Sequence, residues 1–346
     1  MKRFISLCQI IFLLFCALAL SGCQRQEKFS NYYFEYFDTV TTIVGFENSK
    51  EVFDDNCAKI KEKLAEYHRA YSIYEKFGNE KNLCYINENG GAEQVDKIII
   101  DLLLYSKEIN EKTENKFNIA MGSVLSIWHQ YRETGINEPA KAQLPELSAL
   151  QEAAKHTDIN KLEINKDNNS VRFNDALMKL DVGAIAKGYA AEEIAKWMES
   201  ENITGYLLNL GGNVRAVGNR ADGEKWKIGI ENPDTLDKEN PYTAFVEIEE
   251  ESVVTSGSYQ RYYLVDGKKY HHIIDGKTLF PADKFLAVTV ICKDSALADA
   301  LSTTLFTMDY EEGAALLEKL NNAEAMWTLV SGEQRFSSGF GKYCVK

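Results

Sequence analysis

Proline is scarce in this chain, with five in 346 residues, and no Gly-, Ser- or Pro-rich linker divides it. No internal repeat is visible either. One compact unit is therefore expected rather than two independent domains. A basic excess is also missing. The net charge is −13 and the pI about 5. Nucleic-acid binding normally leaves a basic footprint, so it is excluded. An acidic chain that holds a phosphorylated ligand is expected to use a cation. There is no C-x-x-C pair: Cys57, Cys84, Cys292 and Cys344 are scattered. Neither a zinc site nor a dense disulfide framework is indicated. The G-x-G-x-x-G dinucleotide fingerprint is lacking. Gly183 and Gly188 have P-loop spacing, but Tyr189 and Ala190 stand where Lys and Ser/Thr are required. Past Leu20 there is no second long apolar run, so the body reads as soluble.

The exception is the start. "MKRF" carries two positive charges, an apolar run follows to Leu20, and "LSGC" ends at Cys23. This is the pattern of a secretory signal. The run from Ile5 to Leu20 is shorter than the ~20 residues of a membrane span. Small residues before a cysteine match a bacterial lipoprotein processing site. The expectation is a signal peptide over 1–22, a lipidated Cys23 with a polar tether over 23–30, and a catalytic domain over 31–346. The protein would be exported and anchored to the cell membrane through the lipid.

Periodicity places the elements. "YYFEYFDTVTTIVGF" (Tyr32–Phe46) reads as strand with a break near Asp38. Glu51–Ser72 and Lys97–Thr113 have helical spacing. Ile136–Lys155 reads as a helical or irregular surface insertion. Strands are expected around Val171–Phe173 and Met178–Val182, then a turn at Gly183–Lys187 and a helix to about Ser200. "GYLLNL" and "VRAVG" read as strands around a "GGN" turn.

Three segments carry chemistry. The first is "LDVGAIAKGYAAEEIA" (Leu180–Ala195). A glycine-bearing turn into a helix presents free N–H groups to an anion. Lys187 adds positive charge, and Asp181 can accept hydrogen bonds. Close helix packing explains the small residues equally well. The second is "DSALADALSTTLFTM" (Asp294–Met308). Asp299 and Thr303 lie four apart, so they share a helix face. A carboxylate and a hydroxyl suit Mg²⁺, which prefers hard oxygen ligands. Alone the pair is a common feature of solvated helices. The third is "VDGKKYHHIID", whose Asp-Gly marks a hairpin turn. Strand alternation puts His271 and His272 on opposite faces. A histidine beside a bound phosphate would serve as general base.

With "FDTVTTI", "YSIYEK", "NKFNIAMGSVLSIW", "YLLNLGGNVRAVG", "WKIGIENP", "TSGSYQRYY" and "HHIIDGKTLFP" also present in order, the chain resembles the ApbE family, the FAD:protein FMN transferases or flavin transferases. The resemblance covers essentially everything beyond the tether. It implies an α+β fold of mixed sheets and helices, with FAD in a cleft between two lobes. It implies Mg²⁺-dependent transfer of FMN from FAD to a Thr or Ser hydroxyl of an acceptor protein, with release of AMP. Acceptors would be redox-pump subunits, of the RNF complex or the sodium-translocating NADH:quinone reductase. Some members instead hydrolyse FAD to FMN and AMP, and a flavin-binding lipoprotein without catalysis is a third alternative. Phe37, Tyr74, Lys116, Phe117, Asn118, Asp181, Lys187, His272 and Ile273 match FAD-contacting positions. The Ala184 carbonyl, Asp299 and Thr303 match metal ligands. His272, with Ile273, matches the segment that faces the scissile pyrophosphate in the family, and His272 is the expected base. The chain departs from the family pattern at Asn118, where Asp is usual, at Phe37, where Met is usual, and in "DGKTLFP", which lacks a proline after the Asp.

Overall fold

The computed structural model describes residues 26–345. The signal run and Cys23 lie outside the described residues. Eight strands form the main sheet: β1 (Glu27–Tyr36), β2 (Thr39–Glu47), β3 (Tyr206–Leu210), β4 (Asn213–Val217), β5 (Ser252–Gly257), β6 (Phe285–Cys292), β7 (Ala323–Leu329) and β8 (Gln334–Phe336). Their order in the sheet is their order in the chain. Every neighbouring pair is antiparallel. Helices or small hairpins are inserted after β2, β4, β5 and β6, and short turns make the other connections. The fold is α+β, as expected.

Five helices pack on this sheet or border the site: α1 (Lys50–Tyr71), α2 (Lys97–Lys112), α3 (Gly122–Asn137), α4 (Ala186–Ser200) and α5 (Ser295–Thr307). Buried residues of α1, α2, α4 and α5, such as Ile60, Leu103, Ile194 and Leu301, share the largest core with Ile43, Leu208 and Val290 from one sheet face. Alternation sends Val214, Val253 and Ile291 to the opposite face. There they pack with Trp226, Ile228 and Val246 of a separate hairpin over 226–248. A third, smaller core joins α3 to the Tyr262–Val265/Lys268–His271 hairpin through Val124, Trp128, Tyr263 and Leu279.

Two expectations need correction. The tether is shorter than expected, because Glu27–Ser30 pair with Val44–Glu47 inside β1 and β2. The Phe29 ring also packs on Phe53, with centroids 5.6 Å apart. Second, Met178–Val182 forms no strand. Its backbone is satisfied off the ladder: Leu180 N–H donates to Asn87 Oδ1, Asn87 Nδ2 donates to the Leu180 carbonyl, and Asp181 N–H donates to the Ile119 carbonyl. Apolar residues alternate there because one side of the segment, Met178, Leu180 and Val182, is buried while Lys179 is exposed. The break near Asp38 falls where expected and is a complete reversal. Phe37 and Asp38 have φ of 55° and 51°, as a tight hairpin turn between right-twisted strands requires. Cys57, Cys84, Cys292 and Cys344 are all free.

One buried ion pair locks this frame. Arg215 Nε of β4 donates to Glu192 Oε2 of α4 at 3.0 Å, with both side chains under a tenth exposed. The same Oε2 accepts Ser295 N–H at the start of α5. Removing one partner strands a buried charge, which typically costs about 3–5 kcal/mol. Glu192→Ala should therefore lower the stability by that order. A denaturant midpoint unchanged from the parent would show the pair to be dispensable.

Candidate active site

A cavity of about 1110 Å³ opens where the three cores meet. Its size suits a dinucleotide better than a small metabolite. One wall comes from the turn before α4, where Asp181, Gly183, Ala184 and Lys187 line it. Another comes from α3, with Met121, Trp128, His129 and Arg132. The Arg261 and His272–Ile273 region forms a third, and Thr303 and Thr307 of α5 a fourth.

The turn before α4 is built without a side-chain cap from its own N-cap residue, Ile185. Asp181 Oδ1 instead accepts Gly183 N–H at 2.8 Å. Gly188 N–H, which would reach Ala184 in a regular helix, donates at 2.8 Å to Asp299 Oδ2 of α5. The Ala184 carbonyl is thus left without that helical partner, beside the cavity. Glycine is needed at 188 because a Cβ would sit 2.3 Å from the Ser295 carbonyl oxygen and 2.5 Å from Asp299 Cβ. The small residues of this turn therefore serve packing and site together.

Asp299 is 3% exposed and lies behind the cavity wall rather than among its lining residues. Burial pushes its carboxyl up from the ordinary value, against the pull of Lys187, Gly188 N–H and the Asn213 amide. Lys187 Nζ stands 3.8 Å away, beyond hydrogen-bond reach. The buried Asn213 Oδ1 has no partner among the described residues. Thr303 Oγ1 lies 3.1 Å from Ser256 Oγ. A carboxylate, a hydroxyl and a free carbonyl, with oxygen atoms in excess of N–H donors, fit a hard cation such as Mg²⁺. Among the described residues there is no cluster of three or more His, Cys, Asp or Glu.

His272 is oriented by its neighbours. Its Nδ1 lies 3.2 Å from the Arg261 carbonyl. A carbonyl can only accept, so Nδ1 carries the proton and Nε2 keeps its lone pair. Burial, followed by the charges of Arg261 and Arg132, pushes its pKa down to about 3. The ring is therefore a neutral base. His271 faces the other way, as alternation requires. It is buried, its Nε2 donates to the Ala282 carbonyl at 2.7 Å, and its ring packs edge-on to Phe306.

Tyr74, Lys116, Phe117, Asn118, Asp181, Ala184, Lys187, His272, Ile273 and Thr303 all line the one cavity. Phe37 does not. Its ring packs edge-on against His68 at 5.7 Å, because the hairpin turn points it there, while Asp38 and Thr39 take the cavity side. Lys116 is paired with Glu312. Asn118 is engaged at both ends: Oδ1 accepts Ala120 N–H, and Nδ2 donates to the Thr157 carbonyl, each at 2.8 Å. An aspartate could not make the second bond.

Sequence reasoning missed His129, Arg132 and Arg261. Arg132 and Arg261, together with Lys187, bring positive charge to Asp181 and His272. Burial raises the Asp181 carboxyl, and Gly183 N–H, His129, Arg132 and Arg261 oppose that. An acidic chain thus keeps basic side chains at its cavity, in addition to any cation. His129 and Arg132 sit three apart beside a buried tryptophan in "IWHQYR", and a rarity of histidine was the one available signal.

A family model described as the ApbE family matches residues 37–327. The chain belongs to the ApbE family. It is 28% identical over 320 residues to the FAD:protein FMN transferase of Haemophilus influenzae, covering 89% of this chain and 88% of that relative. It is 31% identical over 277 residues to the FAD:protein FMN transferase of Treponema pallidum, covering 75% and 74%. The crystal structure of the ApbE protein of Thermotoga maritima superposes with a TM-score of 0.79 at 26% identity, covering 92% of this chain and 100% of that one. The cavity therefore belongs to an ApbE fold.

Proposed function

We propose that this chain transfers the FMN portion of FAD to a hydroxyl of an acceptor protein. The observation that supports it best is His272, a neutral imidazole with Nε2 free, in a dinucleotide-sized cavity that also holds Asp181, Lys187 and Thr303. Nε2 takes the proton as the acceptor oxygen attacks the FMN phosphorus. A new P–O bond forms, the pyrophosphate P–O bond breaks, and AMP leaves. Lys187, Arg132 and Arg261 offset the charge on the pyrophosphate oxygens. Asp181, held by Gly183 N–H, is an acceptor for donor groups of the flavin nucleotide. Aromatic surface at Tyr74 and Phe117 can pack against the ring systems. Mg²⁺, held by Asp299, Thr303 and the Ala184 carbonyl, would supply charge neutralisation at the reacting phosphate.

Water in place of the acceptor hydroxyl would give FMN and AMP, a hydrolase. A protein that only binds flavin would not need the oriented base. Purified protein should be incubated with FAD, Mg²⁺ and a candidate acceptor peptide, then analysed by mass spectrometry. Transfer predicts a covalent flavin adduct on the peptide. Free FMN without an adduct would make the chain a hydrolase, and intact FAD would leave it a binder. Acceptors of the RNF or sodium-translocating NADH:quinone reductase type are the first to try.

The charged start, apolar run and "LSGC" support export and a lipid anchor on Cys23. Intact-mass analysis of the mature protein should give an acylated chain beginning at Cys23. A start at Met1, or an unmodified cysteine, would remove the anchor.

A further inference from the structure

We infer that His129 and Arg132 are positioning residues that set the Tyr74 ring as a wall for a flat nucleotide ring. The inference rests on the flavin-binding reading above. Tyr74 lies three residues past the end of α1, in a loop, and is 53% exposed. Such a side chain is free to swing unless something holds it. The His129 ring does so: the two centroids are 4.4 Å apart and the planes 24° from parallel. This is a stacked pair, with one Tyr74 face covered and the rest of the ring still open.

His129 is itself fixed. Arg132 Nη2 lies 2.8 Å from His129 Nδ1. A guanidinium only donates, so Nδ1 accepts and Nε2 carries the proton. The two residues stand three apart on α3 and share a face. The helix is anchored by Trp128, which is 3% exposed and donates from Nε1 to the Leu279 carbonyl at 2.8 Å. A rigid helix therefore holds an arginine, the arginine orients an imidazole, and the imidazole flattens a loop tyrosine. All three side chains line the cavity. Ordering a mobile side chain on binding costs affinity, and pre-ordering it removes that cost.

The test is FAD affinity measured by titration of the purified protein, with transfer measured separately at saturating FAD. His129→Ala should weaken FAD binding by about 3- to 30-fold, the combined scale of a lost aromatic pair and a newly mobile ring. The loss should fall on affinity first, so transfer at saturating FAD should drop by a smaller factor than FAD affinity does. His129→Phe keeps a ring against Tyr74 and should recover most of the affinity. The variant Tyr74→Ala/His129→Ala should bind no more weakly than Tyr74→Ala alone, because His129 acts through that ring. Parent-like affinity in His129→Ala, failure of the Phe variant to recover it while folded by circular dichroism, or additive losses in the double variant would each overturn the inference. A parent protein that does not bind FAD would instead remove the flavin reading, and the inference with it.

Discussion

Asp299→Ala should abolish Mg²⁺-dependent turnover of FAD while the protein stays folded. The carboxylate is almost fully buried, and it accepts a hydrogen bond from Gly188 N–H at 2.8 Å. A lone lysine at 3.8 Å compensates its charge poorly. Such a group is retained where something else shares its field, and a divalent cation fits the oxygens around it. Charge neutralisation by a metal contributes several kcal/mol to phosphoryl transfer. At about 1.4 kcal/mol per tenfold, the loss should exceed ~10²-fold. The structural cost is smaller. Gly188 N–H loses its partner, worth about 1–3 kcal/mol, and a small cavity remains. Asp299→Asn separates the two effects, since it keeps the shape and an acceptor for Gly188 but removes the charge. It should fold like the parent and still be inactive. Rates should be compared across a Mg²⁺ titration. If the Ala variant matches the parent at limiting Mg²⁺, Asp299 holds no metal and the ligand set fails.

Local chemistry was legible where one element carries it. Alternation separated His271 from His272, and the four-residue spacing brought Asp299 and Thr303 to one side of α5. The Asp-Gly turn marked its hairpin. What alternation and spacing cannot carry is contact between distant segments. Tyr74 and His129 stack across 55 residues of chain. Arg261 reaches both His272 and the Phe37–Asp38 turn. The order of the main sheet is also long-range information, although it turned out to follow the chain. Met178–Val182 misled because an irregular segment buried on one side alternates as a strand does. The distant Asn87 side chain and the Ile119 carbonyl take up its backbone groups instead of a ladder. Phe37 was assigned to the ligand through its motif, but the positive φ of its turn sends the ring to His68.

His272→Ala should slow transfer by ~10²–10⁴-fold, the usual range for a positioned base. FAD binding should survive, because Lys187, Asp181 and the arginines remain. His271→Ala is the comparison. Its ring is committed to the Ala282 carbonyl and to Ile273 N–H, so its loss should affect stability more than rate. The pH dependence has a definite sign. In the free protein His272 is pushed to about 3 by burial and by Arg261 and Arg132. The acid limb of kcat/KM attributable to it should therefore lie far below the ordinary histidine value near 6.5. A bound pyrophosphate cancels part of the arginine charge and favours the imidazolium. The acid limb of kcat should thus lie at higher pH than that of kcat/KM. Linkage gives the companion effect on folding. Between about 6.5 and 3 the unfolded chain binds a proton at this histidine and the folded one does not, so stability falls as the pH falls through that window. His272→Ala should lessen that acid sensitivity. Covalent transfer and FAD affinity measured for both variants from acid to neutral pH would test this directly. Equal rate losses in the two variants, or a His272→Ala defect accounted for entirely by weaker FAD binding, would remove the base and leave His272 as a wall of the cavity.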